Sequence, residues 1–306
     1  MNADISLPGS LRAGPSGVLR AIERVEQSTA LDGLVGAMRR AVRSVPLGRA
    51  RDVLHGVPLG HPVHPLLVQV PIGAWLSSAV VDLLPGHRRA ADTLIAVGLA
   101  GAAPAAVAGW ADWAELPPEQ SRVGLVHAAA NIGAVSFYAT SLLARLRGRP
   151  LKGRLLALAG LATVAAGGAL GGHLAYRQAS GANHAEAVPH LVGPGWHSVG
   201  PVTDYPVGRP TRAVVDGVDV VVLRQAGDRV HVLADRCAHM GGPLSQGEAE
   251  DGCIRCPWHG SVFRLADGWN VHGPSTAPQP SLDTRIVDGR LEARLRHRRH
   301  EHRAAA

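Results

Sequence analysis

The feature that most constrains this chain is a set of four uncharged apolar stretches, at about 63–81, 93–111, 123–144 and 155–176. Each approaches the roughly 20 residues that an α-helix needs to cross about 30 Å of hydrocarbon. In the fourth stretch, Gly167 and Gly171 have the spacing that lets helix backbones approach closely in lipid. A bundle of four transmembrane helices is therefore predicted. A buried helical core in a soluble protein is the competing interpretation, which four uncharged runs of this length disfavour.

Residues 17–44 carry apolar side chains at spacings of three and four, which predicts one or two amphipathic helices. The basic end of this segment, with Arg39, Arg40 and Arg43, suits a lipid surface. It equally suits the C-terminal end of a helix that packs on the rest of the protein. Both interpretations remain open from the sequence.

From about Trp196 the pattern changes to short, alternating, β-branched runs between Gly-rich turns. Such runs predict a small antiparallel β-domain. Asp288 and Gly289 are typical of a hairpin turn just before the final strand. The fold class is thus a four-helix membrane bundle joined to an all-β domain.

The net charge of +7 does not indicate nucleic-acid binding, because the basic residues are scattered over the N-terminal segment, the loops and the C-terminal tail. In a membrane protein such a balance more often reflects loops beside anionic lipid. The three cysteines lie within twenty residues of one another, too few and too close for a disulfide framework. Metal ligation is the better interpretation for at least two of them.

Cys237 and His239 form a C-x-H pair, and after sixteen intervening residues Cys256 and His259 form a C-x-x-H pair. This arrangement resembles the Rieske [2Fe–2S] family over roughly residues 196–295. The resemblance includes Pro274, in the position of that family's third, proline-containing loop. It implies a cluster in which two thiolates hold one iron and two neutral imidazoles hold the other.

The sequence departs from the high-potential branch of that family at three positions. Gly242 and Trp258 stand where that branch has a second pair of cysteines that form a disulfide. Ser261 is kept, but Phe263 replaces a tyrosine whose hydroxyl lies near the cluster. The loss of one hydrogen bond to sulfur should lower the reduction potential, toward that of the ferredoxins that supply dioxygenases.

A structural zinc site is the alternative for the same four side chains. Zinc favours C-x-x-C or H-x₃₋₅-H spacing, which this sequence does not have at these positions. Cys253 fits a small buried hydrophobic residue better than a further ligand.

Gly60 to Leu67 read G-H-P-V-H-P-L-L, which resembles an uncharacterised bacterial four-helix membrane family with a G-H-P-x-H-P-x-L pattern. His64, His127 and His173 are expected at one face of the membrane, the face from which the chain leads into the β-domain. Because ionisable residues in a membrane are functional candidates, these three are predicted to bind haem b or a quinol. Histidines that only make hydrogen bonds between helices are the alternative.

We expect a multi-pass protein of the inner, or cell, membrane. The loops between helices one and two and between helices three and four are basic, which places them in the cytoplasm and the cluster outside. A folded iron–sulfur domain, however, needs a twin-arginine route to cross a membrane, and no such pair immediately precedes the fourth helix. These two arguments give opposite orientations.

The leading functional prediction is a membrane-anchored carrier of single electrons between a donor and an acceptor protein. A ferredoxin-like component of an oxygenase system and a non-catalytic redox sensor or scaffold are the alternatives. A complete oxygenase is disfavoured, because too few residues follow Pro274 to build a mononuclear iron domain. No catalytic residue is assigned, and the expected partners are a redox protein and membrane lipid.

The predicted organisation has five parts. An amphipathic segment at 1–59 is followed by a transmembrane domain at 60–178 and a linker at 179–195. A Rieske-type domain at 196–296 and a basic tail at 297–306 complete the order.

Overall fold

The computed structural model describes residues 17–227 and 229–296. The predicted basic tail at 297–306 and the first sixteen residues of the N-terminal segment lie outside the described residues.

From residue 17 onward, where the structure describes it, the N-terminal segment forms the α-helices α1 (Gly17–Glu26), α2 (Asp32–Ser44) and α3 (Ala50–His55). Helix α2 lies against the end of the bundle, where Val35 packs in a small core with Trp113. Arg43 forms an ion pair with Glu115 at 2.6 Å. Of the two interpretations of the basic helix end, the structure therefore shows packing on the protein.

The first membrane span consists of a short helix α4 (His64–Leu67) followed by α5 (Gln69–Val81). The other spans are α6 (Arg88–Trp113), α7 (Pro118–Leu146) and α8 (Pro150–Gly172), the last extended by a π-helical turn, His173–Arg177. Over the described ranges, these four helices are long and apolar enough to cross a membrane, as predicted. Trp75 stacks on Tyr138 in their core, with ring centroids 4.3 Å apart.

The end of the bundle that carries the α5–α6 and α7–α8 loops contains a fully buried cation. Arg145 is 0% exposed and is held by the carboxylates of Asp82 and Asp92. A buried charge is tolerated when it is paired in this way. Arg88 and Arg154 contact the same two carboxylates, at 3.7 and 3.6 Å.

The C-terminal domain contains two antiparallel sheets. The larger has the order β1-β10-β9-β4-β3-β2, with strands β1 (His197–Pro201), β2 (Thr211–Val215), β3 (Val218–Arg224), β4 (Val230–Ala234), β9 (Ser281–Val287) and β10 (Arg290–Leu295). The smaller contains β5 (Glu248–Glu250), β6 (Cys253–Arg255), β7 (Val262–Arg264) and β8 (Asn270–His272).

The predicted hairpin turn is confirmed. Asp288 and Gly289 have φ of 49° and 73° and join β9 to β10 in register, as a type I′ turn requires.

The segment at 179–195, expected as a spacer, packs into the β-domain. Ala185 is 1% exposed and lies in a core with Cys237 and Phe263. Val188 begins the short helix α9 (Val188–Leu191) and is buried in the core of the larger sheet. The connection between the two domains is therefore held by apolar contacts.

Candidate cluster site and its membrane-facing surface

Two loops of the β-domain have the same backbone hydrogen-bond pattern. In the β4–β5 loop, the N–H of Gly241 donates to the carbonyl of Cys237 at 2.8 Å, and the N–H of Cys237 donates to Gly242 at 2.9 Å. In the β6–β7 loop, Gly260 donates to Cys256 at 3.1 Å, and Cys256 donates to the residue after Gly260 at 2.8 Å. Gly241 and Gly260 have φ of 77° and 73°, which glycine adopts without steric cost.

These two turns bring the four predicted ligand side chains together as two pairs. Cys237 and Cys256 are free thiols, 1% and 3% exposed, that share a hydrogen bond. The rings of His239 and His259 have centroids 5.0 Å apart and are almost perpendicular. Within the described ranges, no three His, Cys, Asp or Glu side chains converge on one metal position. Two pairs of donors fit two irons better than one tetrahedral zinc ion.

One ring nitrogen of His239 lacks a hydrogen-bond partner among the described residues. This nitrogen, Nδ1, is buried. Burial, followed by the nearby His259 imidazole, lowers the pKa of His239 to about 3. Burial also lowers the pKa of His259. Both imidazoles are therefore neutral at physiological pH and offer a lone pair, as a metal ligand must.

The two buried thiols shift each other's pKa in opposite directions. The hydrogen bond with Cys237 lowers the pKa of Cys256 to about 7, and backbone N–H groups of Trp258 and His259 act in the same direction. The same bond, with burial, raises the pKa of Cys237. A metal centre binds thiolates, and the lowered pKa of Cys256 favours loss of its proton, so the thiol pair also fits a cluster.

Trp258 lies over Gly242, in the place where the high-potential branch has its disulfide. A Cβ atom added at Gly242 would lie 2.9 Å from the Trp258 ring and 3.0 Å from the sulfur of Cys256. The two loops are therefore closed by an indole packed on a glycine.

Ser261, Phe263 and Pro274 surround the second loop. Ser261 is buried, and its Oγ accepts the N–H of Ser275 at 3.1 Å, which leaves its own O–H free to donate. Phe263 is 0% exposed in the core below the two thiols. Pro274 follows Gly273, whose Cα lies so close to Ser261 that an added Cβ would be 2.7 Å from the serine Cα.

Gln279 is a supporting residue that sequence reasoning missed. Its fully buried side chain accepts the N–H of Ala238 at 2.9 Å and donates to the carbonyls of Ala234 and Arg236. It therefore fixes the first loop from a position 41 residues away from Ala238. Its position between two prolines was the only available signal, and that signal does not identify a partner.

Asp52, also missed, joins the N-terminal segment to the β-domain. Its carboxylate accepts His272 Nδ1 at 2.7 Å and the N–H of Gly273 at 3.0 Å. A second link to the β-domain comes from the segment at 179–195, where the N–H of His184 donates to the carbonyl of Ala238 at 2.9 Å. Both links end on loops that adjoin the four donors.

The histidine side of the site faces the membrane domain. His55, buried and 2.8 Å from Asp112, is among the groups that lower the pKa of His239. After burial, the pKa of His259 responds to Glu115, Arg43 and Arg39. Ionisable groups of α2, of α3 and of the turn after α6 therefore lie near enough to act on the two imidazoles.

Of the three membrane histidines, the structure brings two into contact. The rings of His64 and His127 have centroids 6.3 Å apart at an angle of 83°. His64 Nδ1 donates to the carbonyl of Ala105 and His127 Nδ1 to that of Gly167, both at 2.8 Å. His173 Nε2 instead lies at hydrogen-bond distance, 2.7 Å, from a carboxylate oxygen of Glu26 in α1.

Comparison with known proteins agrees with this geometry. Residues 195–283 match the family model described as Rieske [2Fe–2S] domain, and residues 60–184 match the one described as predicted membrane protein (DUF2231). A Rieske domain implies a [2Fe–2S] cluster.

The ferredoxin subunit of anthranilate 1,2-dioxygenase from Burkholderia cepacia is 32% identical over 100 residues, 33% of this chain and 92% of that subunit. An oxygenase component of 3-ketosteroid-9-alpha-monooxygenase from Rhodococcus rhodochrous is 42% identical over 65 residues, 21% of this chain but 17% of that component. The solved ferredoxin of carbazole 1,9a-dioxygenase from Nocardioides aromaticivorans IC177 aligns over 31% of this chain and 93% of its own, with 26% identity and a TM-score of 0.30.

The resemblance to a ferredoxin subunit thus spans nearly all of that relative, and it falls on the part of this chain that contains the two matching loops. The chain therefore belongs to the Rieske [2Fe–2S] family, and it carries that domain behind a multi-pass domain of the predicted membrane protein family DUF2231.

Proposed function

We propose that this protein is a membrane-anchored carrier of single electrons, with Cys237 and Cys256 as ligands of one iron and His239 and His259 as ligands of the other. The observation that carries the proposal is the buried Nδ1 of His239, which has no hydrogen-bond partner among the described residues and lies beside the His259 ring, on the two loops that also hold the buried thiols. When bound, a [2Fe–2S] cluster supplies the exchange of one electron at a time.

The remaining residues of the site orient these donors. Gln279 holds the first loop through three hydrogen bonds, and Gly242 leaves room for the Trp258 ring that packs on it. Ser261 keeps a free O–H on the buried side of the second loop. These contacts support a site whose geometry exists before the cofactor arrives, which suits a carrier that must reorganise little between redox states.

The donor or acceptor is proposed to lie on the membrane side, because the two imidazoles face helices α2, α3 and α6. The Asp52 carboxylate holds this arrangement by two hydrogen bonds to the β-domain. Its removal should cost about 2 kcal/mol of docking free energy, roughly thirtyfold in the ratio of docked to undocked domain.

Asp52→Ala tests this docking through limited proteolysis of the segment at 179–195 in the full chain. The matched control is Asp267→Ala, which breaks an ion pair with Arg264 inside the β-domain. Cleavage should accelerate in the first variant and stay near the native rate in the second. Equal rates in all three proteins would contradict a docked domain.

Quinol is the proposed membrane reactant, at His64. The Nδ1 of His64 donates to a backbone carbonyl, so its Nε2 is an acceptor, as a quinol hydroxyl requires. The corresponding nitrogen of His127 accepts the amide of Asn131 at 3.1 Å, and haem ligation by both rings would need that bond to break. A Soret band in the visible spectrum of the purified full chain would assign the pair to haem instead.

A soluble oxygenase is the second candidate partner, because the ferredoxin subunit that this chain resembles is named as part of a dioxygenase. This candidate predicts that the Asp52→Ala protein, with its histidine face released, reduces an oxygenase component faster than the native protein does. The membrane donor predicts the opposite, a slower reduction of the cluster by quinol.

We place the protein in the inner membrane. The four basic side chains Arg147, Arg149, Lys152 and Arg154 lie beside the α7–α8 loop, at the end of the bundle opposite the β-domain. The positive-inside tendency then supports a β-domain on the outer side. Labelling of a Ser198→Cys protein in intact cells by an impermeant maleimide tests this, and protection of that exposed position until the cells are lysed would reverse the orientation.

Anaerobic purification of the full chain tests the carrier itself. We expect two irons and two acid-labile sulfides per chain and, after reduction by dithionite, a low-temperature EPR signal that one equivalent of a one-electron oxidant removes. A colourless, zinc-containing protein would overturn the proposal. A stable cluster that neither quinol nor any oxygenase reductase reduces would favour a sensor or scaffold.

A further inference from the structure

A groove of about 460 Å³ opens between α7 and α8, away from every histidine discussed above. Its lower walls are apolar and include Gly133, Phe137 and Leu156. Its upper end is lined by three exposed cations, Arg147, Arg149 and Lys152.

The depth of the groove corresponds to one leaflet of a bilayer. At about 1.5 Å per helical residue, Gly133 lies roughly 20 Å below Leu146, where α7 ends. A hydrocarbon core of about 30 Å with its polar regions is about 40–45 Å thick, so one leaflet is about half of that. The apolar walls thus lie at acyl-chain depth and the cations at headgroup depth.

The three cations have no acidic partner among the residues that the structure describes. The two carboxylates at this end of the bundle, Asp82 and Asp92, are already shared by Arg145, Arg88 and Arg154. An uncompensated charge of +3 therefore borders the apolar groove.

We propose that this groove binds one anionic phospholipid, with an acyl chain along Phe137 and Leu156 and the phosphate between Arg147, Arg149 and Lys152. Apolar walls alone would accept any lipid. The three cations make the site selective, because each Lys or Arg near a membrane surface contributes about 1 kcal/mol to binding of anionic lipid, about fivefold in affinity. The proposal does not depend on the redox role of the protein.

Native mass spectrometry of the full chain, titrated separately with phosphatidylglycerol and phosphatidylcholine in detergent, measures this selectivity. We expect one phosphatidylglycerol to bind with at least tenfold preference. Arg149→Gln should weaken that binding about fivefold, and Arg147→Gln with Arg149→Gln and Lys152→Gln should abolish the preference. Ser136→Phe, which fills the groove without a change of charge, should weaken the binding of both lipids.

The matched control is Arg89→Gln, which removes an exposed cation from the first turn of α6, at the same end of the bundle. It should leave lipid binding unchanged. Equal affinity for the two lipids, or an equal loss in Arg89→Gln and Arg149→Gln, would overturn the proposal in favour of general surface charge. Displacement of the lipid by millimolar inorganic phosphate would also overturn it, because the site would then recognise a free anion.

Discussion

The two histidine pairs of this protein have similar ring geometry but opposite hydrogen bonding. His239 and His259 lie 5.0 Å apart and nearly perpendicular, and His64 and His127 lie 6.3 Å apart and nearly perpendicular. In the loop pair, the buried Nδ1 of His239 has no partner within the described chain. In the helix pair, each Nδ1 donates to a backbone carbonyl.

The loop pair thus contains a buried nitrogen without a hydrogen-bond partner among the described residues, whereas the protein itself satisfies both Nδ1 atoms of the helix pair. A buried polar atom without a partner costs about 1–3 kcal/mol, and a ligand can remove that cost. The helix pair has no such deficit, so its rings can serve as hydrogen-bond partners of a quinol or simply join helices. The first pair thus predicts its cofactor more strongly than the second does.

The largest expected effect is loss of the cofactor from the loop site. Cys256→Ser removes one of the two thiols and should reduce bound iron and acid-labile sulfide to a tenth of the native amount or less. Cys253→Ser is the matched control. Cys253 lies in strand β6, directly before the turn that contains Cys256, and is outside both turns that hold the proposed ligands. Iron analysis and visible absorbance measure both. Equal iron loss in the two variants would contradict the ligand assignment.

The next effect concerns the helix pair. His64→Ala should leave iron and sulfide at native levels, because the cluster ligands lie on the other domain. It should slow reduction of the cluster by a soluble quinol at least tenfold. The control is His61→Ala, which replaces an exposed histidine whose Nδ1 donates to the carbonyl of Pro62. If quinol reduces the cluster at the same rate in the His61→Ala and His64→Ala proteins, the proposed quinol site at His64 is wrong.

A smaller effect is expected where the two ligand loops touch. Gly242→Ala places a methyl group 2.9 Å from the Trp258 ring, so overpacking should lower the free energy of unfolding by about 1–3 kcal/mol. Trp258 is 56% exposed, so Trp258→Ala should cost little, and in the double variant it should relieve the contact with the ring but leave the one with the Cys256 sulfur. Thermal melts of the four proteins form the cycle. Additive losses would show that the two residues do not interact.

The architecture was largely predictable from sequence. The four apolar stretches and the paired C-x-H and C-x-x-H motifs depend on local pattern, and both correspond to observed elements. The length of each apolar run sets a helix and the glycine after each ligand pair sets a turn, so neither needs knowledge of distant contacts.

The contacts between distant parts of the chain were not predictable. Asp52 bonds to residues 220 and 221 positions away, and no spacing rule reaches that far. A tryptophan at the end of a membrane helix, such as Trp113, is typical of an aromatic belt that faces the lipid headgroups. Trp113 is instead 5% exposed, and its indole N–H donates to the carbonyl of Ser121. His173 was expected beside His64 and His127, but helix α1 supplies Glu26 as its partner. In each case the missing information was which surface the N-terminal segment covers.

The smallest effect concerns the reduction potential of the loop site. Ser261 has a free O–H that can donate to a cluster sulfur, and a hydrogen bond worth about 1 kcal/mol corresponds to roughly 40 mV for one electron. Ser261→Ala should therefore lower the potential by about that amount with iron content unchanged. Phe263→Tyr restores the hydroxyl of the high-potential branch and should raise it. Redox titration followed by EPR measures both variants. Shifts of the same sign would show that loop packing, and not hydrogen bonding to sulfur, sets the potential.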